Sequence, residues 1–141
     1  PQTAAGVVFG YDGAPPACAV VRRLVHAWCG IPVEIPAQAR SLYHLAATAA
    51  AGGVVTLVAS AAELAEDLGL DPRIGAGYLK LAEEALAHAA SSSSIVEAIT
   101  GPVARGDLQG FATQLADLRP RDPELATLLE LLAKRTLKLQ K

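Results

Sequence analysis

"SLYHLAATAAAGGVVTLVASAAEL", residues 41–64, carries no Asp, Glu, Lys or Arg between Leu42 and Ala62. About 20 apolar residues in a row are enough to cross a bilayer. This run, however, is built of Ala, Gly and Thr, holds His44 near its start and has no basic excess at its flanks. The other reading is a central helix, apolar all round because further helices surround it. The composition favours that reading, so a helical protein rather than a membrane one is expected. Gly52 and Gly53 sit in the middle of the run. Each costs a helix about 1 kcal/mol relative to Ala. Such a cost is expected where a neighbouring backbone or a ligand must come close.

Upstream the pattern is different. "GVVFG", residues 6–10, is a short apolar run closed by "YDGAPP" and reads as a strand ending in a turn. A helix is expected from about Pro15 to Cys29, with Val20, Val21, Leu24, Val25 and Trp28 on one side and Arg22 and Arg23 on the other. Gly30 is expected to stop it, and "IPVEIP" supplies a second strand. A strand–helix–strand of this size is a piece of a larger parallel sheet, because two strands alone are marginal in water.

Downstream no strand signal remains. Asp71 and Pro72 are expected to cap and open a helix reaching about Ala90. "SSSS", residues 91–94, reads as a hinge or a capping turn. Asp107 opens a helix to Leu118, and Asp122 with Pro123 opens the last one. That helix carries Leu125, Leu128, Leu129, Leu132 and Thr136 along one stripe, with Lys134, Arg135, Lys138 and Lys141 near its end, where the helix dipole favours cations.

The totals agree with one modest domain or a small domain plus part of another, at 141 residues. Hydrophobic residues make up 52% of the chain but aromatics only 4%, so the core is expected to be Leu, Val and Ala in close-packed helices. A net charge of −2 with mixed signs points away from nucleic acid and from charged membrane surfaces. Cys18 and Cys29 share the first helix, where eleven residues hold them roughly 16 Å apart. A disulfide needs Cα atoms within about 7 Å, so they are expected to stay reduced, in a cytoplasmic setting. The first residues show neither the basic start nor the apolar run of a secretory signal.

Three features bear on function. "TGPVARGD", residues 100–107, is either a well-capped turn between helices or a loop built to hold Arg105 against a carboxylate or phosphate. Two glycines flanking one Arg suit a held side chain, so Arg105 is expected to be buried and hydrogen-bonded to Asp107, to helix-end carbonyls or to an anion. Tyr43 and His44, at the entry to the uncharged run, could supply a proton donor near neutral pH or be a half-buried pair behind a capping Ser41. Neighbours on a helix diverge by about 100°, so the two need not face one cavity. Finally, neither G-x-G-x-x-G nor G-x-x-x-x-G-K-[ST] occurs, Ser91–Ser94 lack a G-x-S-x-G context, and His26, His44 and His88 with Cys18 and Cys29 have no zinc-ligand spacing. No cofactor-binding and no metal-binding residues are expected in this chain.

"SLYHLAATAAAGGVVTLVASAAEL", then "LDP", then "ITGPVARGD" resemble the C-terminal half of Rossmann-like/DUF2520 proteins, a bacterial group with the character of NAD(P)-dependent oxidoreductases. The resemblance covers essentially the whole chain, and "GPVARGD" is its most specific part. It implies a dinucleotide-binding domain with its Gly-rich loop, followed by an all-helical domain. That domain is similar to those of pyrroline-5-carboxylate reductase and of the 6-phosphogluconate dehydrogenase C-terminal group, whose helices build a dimer and close over the substrate. On this basis residues 1–36 are a strand–helix–strand remnant of the Rossmann-like sheet, and residues 37–141 are the helical dimerisation and substrate domain. The resemblance implies NAD(P) in the full-length protein, a homodimer and a small-molecule substrate. It puts Tyr43 and His44 at the catalytic position and Thr100 and Arg105 against an anionic group of the substrate. Relatives often carry an Asn about eight residues after "YH", where this chain has Ala51–Gly52–Gly53. The competing reading is a non-catalytic helical module that dimerises through the uncharged helix and binds no small molecule.

Overall fold

The computed structural model describes residues 4–141 and divides the chain into two compact units, Pro1–Val55 and Thr56–Lys141. Residues 1–3, the start of the first sequence segment, lie outside the described residues. The chain is mainly helical, with one short pair of strands ahead of the helices.

In the first unit, β1 (Val8–Tyr11) and β2 (Ile31–Glu34) run parallel, with Val8 opposite Ile31 and Tyr11 opposite Glu34. Parallel neighbours need a crossover. Here it is α1 (Pro15–Ala27), which begins with Pro15 and Pro16, positions where a missing N–H costs nothing. Cys18 and Val25 are its buried residues, and the Phe9 and Trp28 rings pack at 6.1 Å between centroids. The helix end differs from expectation. Cys29, not Gly30, takes the left-handed conformation, at φ 60°. Gly30 answers a packing need instead: a Cβ there would lie 2.7 Å from the Phe9 ring and 3.0 Å from Val25 Cγ1. Both cysteines are free thiols.

After a 3-10 turn (Ala37–Ala39) comes α2 (Arg40–Thr48), then a π turn (Ala49–Gly53), then α3 (Val54–Asp67). The uncharged run is thus helical throughout, with a widened turn at the glycine pair. Its environment corrects the expectation of a surrounded central helix: every residue from Arg40 to Gly52 is exposed. Leu42, Leu45 and Val55 are 69%, 62% and 68% exposed. Nothing within 4 Å would meet a Cβ at Gly52, so the close approach expected there is absent among the described residues. By length and composition alone, the stretch Ala37–Asp67, with a mean hydropathy of 1.8 in its most apolar window, could cross a membrane.

The close helix approach occurs elsewhere, in the second unit. A Cβ on Gly75 would sit 3.2 Å from that of Ala62, which brings α4 (Arg73–Ser91) against α3. The connection is sharp because Gly69 adopts φ 68° and Leu70 N–H returns to the Ala65 carbonyl at 3.0 Å. The start of α4 lies one residue later than expected, and Asp71 accepts from the Arg73 backbone N–H at 2.9 Å. At its end, the Ser91 and Ser92 hydroxyls donate to the His88 carbonyl at 2.9 and 2.8 Å, so the serine run is a capping turn. The packed core lies between α5 (Leu108–Leu118) and α6 (Pro123–Leu139): Leu115, Leu118, Leu125 and Ala126, with Leu64, Phe111 and Leu129 against them. Asp107 and Asp122 cap these helices as expected, accepting from Gly110 N–H at 2.9 Å and Leu125 N–H at 2.8 Å. Glu130 pairs with Lys134 along α6 and with Arg119 just past the end of α5, and these two cations hold its carboxyl below its ordinary value. That contribution is present above the usual carboxylate range and is lost as pH falls through the lowered value.

The loop over residues 100–107 is built around a different residue from the one expected. Gly101 and Gly106 take φ 105° and 83°, and Asp107 N–H closes back on the Pro102 carbonyl at 2.9 Å. The glycines therefore serve the backbone. The residue the turn buries is Val103, whereas Arg105 is exposed and makes no side-chain hydrogen bond or ion pair among the described residues. Arg105→Ala is accordingly expected to change unfolding free energy by less than about 0.5 kcal/mol, measured by urea denaturation. A loss of several kcal/mol would reinstate the buried-arginine reading.

Candidate functional site

In a parallel βαβ unit, ligands collect beyond the carboxyl ends of the strands, where the loops diverge and leave a crevice. The first unit has an open pocket of about 540 Å³ in that position. Gly10, Tyr11 and Asp12 line it from the end of β1, and Ile35 from the end of β2. Ala37, Arg40, Ser41, Tyr43 and His44 close it from the start of the long helical stretch. The chain puts them there because β2 ends in "EIPAQ", whose proline and 3-10 turn redirect the backbone into α2 at once.

Tyr43 is placed by the absence of a side chain on β1. A Cβ at Gly10 would fall on the Tyr43 hydroxyl and lie 2.6 Å from its Cζ. The phenol thus rests on the strand's backbone, with its hydroxyl at the strand end. His44 lines the same pocket, so the divergence of neighbouring helix positions does not separate the two here. Together the pair offers a phenol and an imidazole beside one cavity. That is enough to donate and accept protons on a bound molecule.

Two lining residues were missed in the sequence. Asp12 accepts a hydrogen bond from Arg40 Nε, a pair joining the loop after β1 to the first residue of α2. The only sequence signal for it is an Asp directly after an apolar run, in "VVFGYD". Nothing in the local pattern ties Arg40 to it across the intervening helix and strand. Thr100 and Arg105 do not line this pocket. Thr100 borders a small crease of about 170 Å³ in the second unit, walled by apolar groups including Val103, Phe111 and Leu132. An exposed Arg105 and an apolar crease do not make the anion clamp expected from the sequence.

The β1–α1 loop does not fit a dinucleotide. Phosphate-binding loops present backbone N–H groups at a helix N-terminus. Here Pro15 and Pro16 remove two of those donors from the first turn, and the loop carries a carboxylate, Asp12, that would repel a phosphate. Among the described residues, no three His, Cys, Asp or Glu side chains converge on a point that would hold a metal ion.

A family model described as a domain of unknown function, DUF2520, matches residues 7–136. The chain belongs to the DUF2520 family. No functionally curated protein matches it. Among solved structures, the DUF2520 chain is similar to a Bacteroides fragilis protein described as a "putative NADP oxidoreductase", with 23% identity and a TM-score of 0.69. The match covers 91% of this chain and 48% of the other, so this chain spans about half the length of the protein it resembles. At that identity the likeness establishes the fold: a helical domain preceded by a short parallel strand pair.

Proposed function

We propose that this DUF2520 chain is the helical, substrate-facing part of a two-domain NADP-linked oxidoreductase. In this reading Tyr43 and His44 handle the proton that accompanies hydride transfer. The observation that carries the proposal is the pocket at the strand ends, lined by both residues, in a fold that occupies half of a longer oxidoreductase-like protein. The exposed strand residues support it as well. Val8, Ile31 and Val33 stand in solvent, whereas parallel sheets are ordinarily covered on both faces. A nucleotide-binding domain continuing this sheet would cover them, and its own loop would hold the dinucleotide that the β1–α1 loop here does not fit.

The same reading assigns the exposed apolar residues of this stretch, Leu42, Leu45 and Val55, to a dimer interface. A contiguous apolar helix face in water marks an interaction surface. The bound nicotinamide would supply and accept hydride, while this chain binds substrate, shields it from water and moves the proton.

Calorimetry with NADPH separates the two halves of the proposal. The chain of residues 1–141 is expected to show no binding up to millimolar nucleotide, and the full-length protein to bind in the micromolar range. Micromolar binding by residues 1–141 alone would overturn the division of labour. Sedimentation of the full-length protein as a monomer at tens of micromolar would remove the dimer.

A further inference from the structure

Arg40 is held in a way the proton chemistry of Tyr43 and His44 does not require. Its Nε donates to Asp12, and among the described residues neither terminal amino group makes a hydrogen bond. The guanidinium is a rigid plane, so fixing one edge on a carboxylate orients the other. That other edge carries donors spaced to grip a second oxyanion in two parallel hydrogen bonds. Arg40 is 64% exposed and Asp12 only 27%, so the less exposed carboxylate is the anchor and the arginine is the presented group. Both line the pocket.

We infer that Arg40 is the anion-recognition residue of this pocket and that its ligand is a small molecule with one carboxylate on an apolar body. The inference rests on the pocket assigned above and names the substrate class of that site. Asp12 decides the charge. The Asp12–Arg40 pair is neutral as a unit, so it suits a monoanion, whereas a phosphate dianion would meet the Asp12 carboxylate at close range. The apolar body follows from the remaining walls. Ile35, Ala37 and the carbon surface of Tyr11 and Tyr43 supply the apolar part, beside the hydroxyls of Ser41 and Tyr43. A carboxylate pinned on Arg40 would then lie in the same cavity as the Tyr43 hydroxyl and the His44 ring, where a reacting carbonyl or imine needs its proton source.

The test uses ¹⁵N-labelled chain, titrated at constant ionic strength with benzoate, acetate and inorganic phosphate while the Arg40 Nε–H and backbone resonances are followed. Benzoate is expected to saturate in the millimolar range and to shift Arg40 and Tyr43 together. Acetate, which lacks the apolar body, should bind at least about 5-fold more weakly, and phosphate should show no saturation. Arg40→Gln is expected to weaken benzoate at least about 10-fold, with Arg40→Lys failing to restore it because the planar fork is gone. Arg23→Gln, an exposed arginine on α1, should leave binding unchanged. Tighter binding of phosphate than benzoate overturns the carboxylate assignment, and unchanged benzoate binding in Arg40→Gln overturns the role of Arg40. A chain that recognises benzoate in a full-length protein without NADPH binding would sink the oxidoreductase proposal alone. NADPH binding with no benzoate recognition would sink this inference alone.

Discussion

Truncating Leu125 to alanine is expected to destabilise the second compact unit by about 3 kcal/mol, roughly a 100-fold rise in its unfolding constant. Leu125 is 7% exposed and packs with Leu115, Leu118 and the fully buried Ala126. It also sits in the first turn of α6, where its backbone N–H is fixed by Asp122. A side chain held at both its backbone and its tip lets little of the surroundings collapse into the space it vacates. The cavity term therefore adds to the lost transfer energy. Few residues in this chain are buried, so the loss falls on a thin core. Urea denaturation should show a lower midpoint with an unchanged slope. Leu131 lies on the same helix but is 58% exposed, and Leu131→Ala should cost less than about 0.5 kcal/mol. Equal losses for the two would place Leu131 in an interface and move the weight of the core away from the α5–α6 contact.

The elements that could be read in the sequence are those specified by local chemistry. Asp107 and Asp122 each precede a helix and accept from N–H groups three residues on, a geometry set within one turn of chain. The strand–helix–strand start was legible because β1, α1 and β2 follow one another closely, with Gly and Pro between them. What failed was everything that depends on a third dimension. Gly30 looks like a helix stop, but its meaning comes from the Phe9 ring packed over it. Gly106 looks like room for Arg105, but it supplies a positive φ that turns the chain back over Val103. In each case a small residue was visible, and the neighbour that explains it lies outside the local pattern. Tyr43 and His44, singled out in the sequence, both line the pocket. Asp12 and Arg40 escaped because an ion pair across 28 positions leaves no local periodicity.

Under the proposed function, Tyr43→Phe and His44→Gln in the full-length protein are each expected to lower NADPH-dependent turnover by about 10²- to 10⁴-fold, the usual worth of a positioned proton donor. Tyr43→Phe is the cleaner change. The ring keeps its seat on the Gly10 backbone, and only the hydroxyl at the strand end is lost. Turnover should therefore fall with little change in substrate affinity, the pattern of an interaction made in the transition state alone. His44→Gln retains a hydrogen-bonding group but removes the imidazole, with its paired donor and acceptor nitrogens. Gly10→Ala reaches the same end without touching either residue. Its methyl group would occupy the place of the Tyr43 ring, and that ring, 43% exposed, is free to swing outward. Because a flexible side-chain end gives way rather than the strand, stability should change by less than about 1 kcal/mol while activity falls as far as in Tyr43→Phe. If Tyr43→Phe and Gly10→Ala both keep turnover within 3-fold of the parent, the phenol has no part in the chemistry. His44 would then be left as the pocket's proton donor, and its own substitution would decide whether the pocket is catalytic at all.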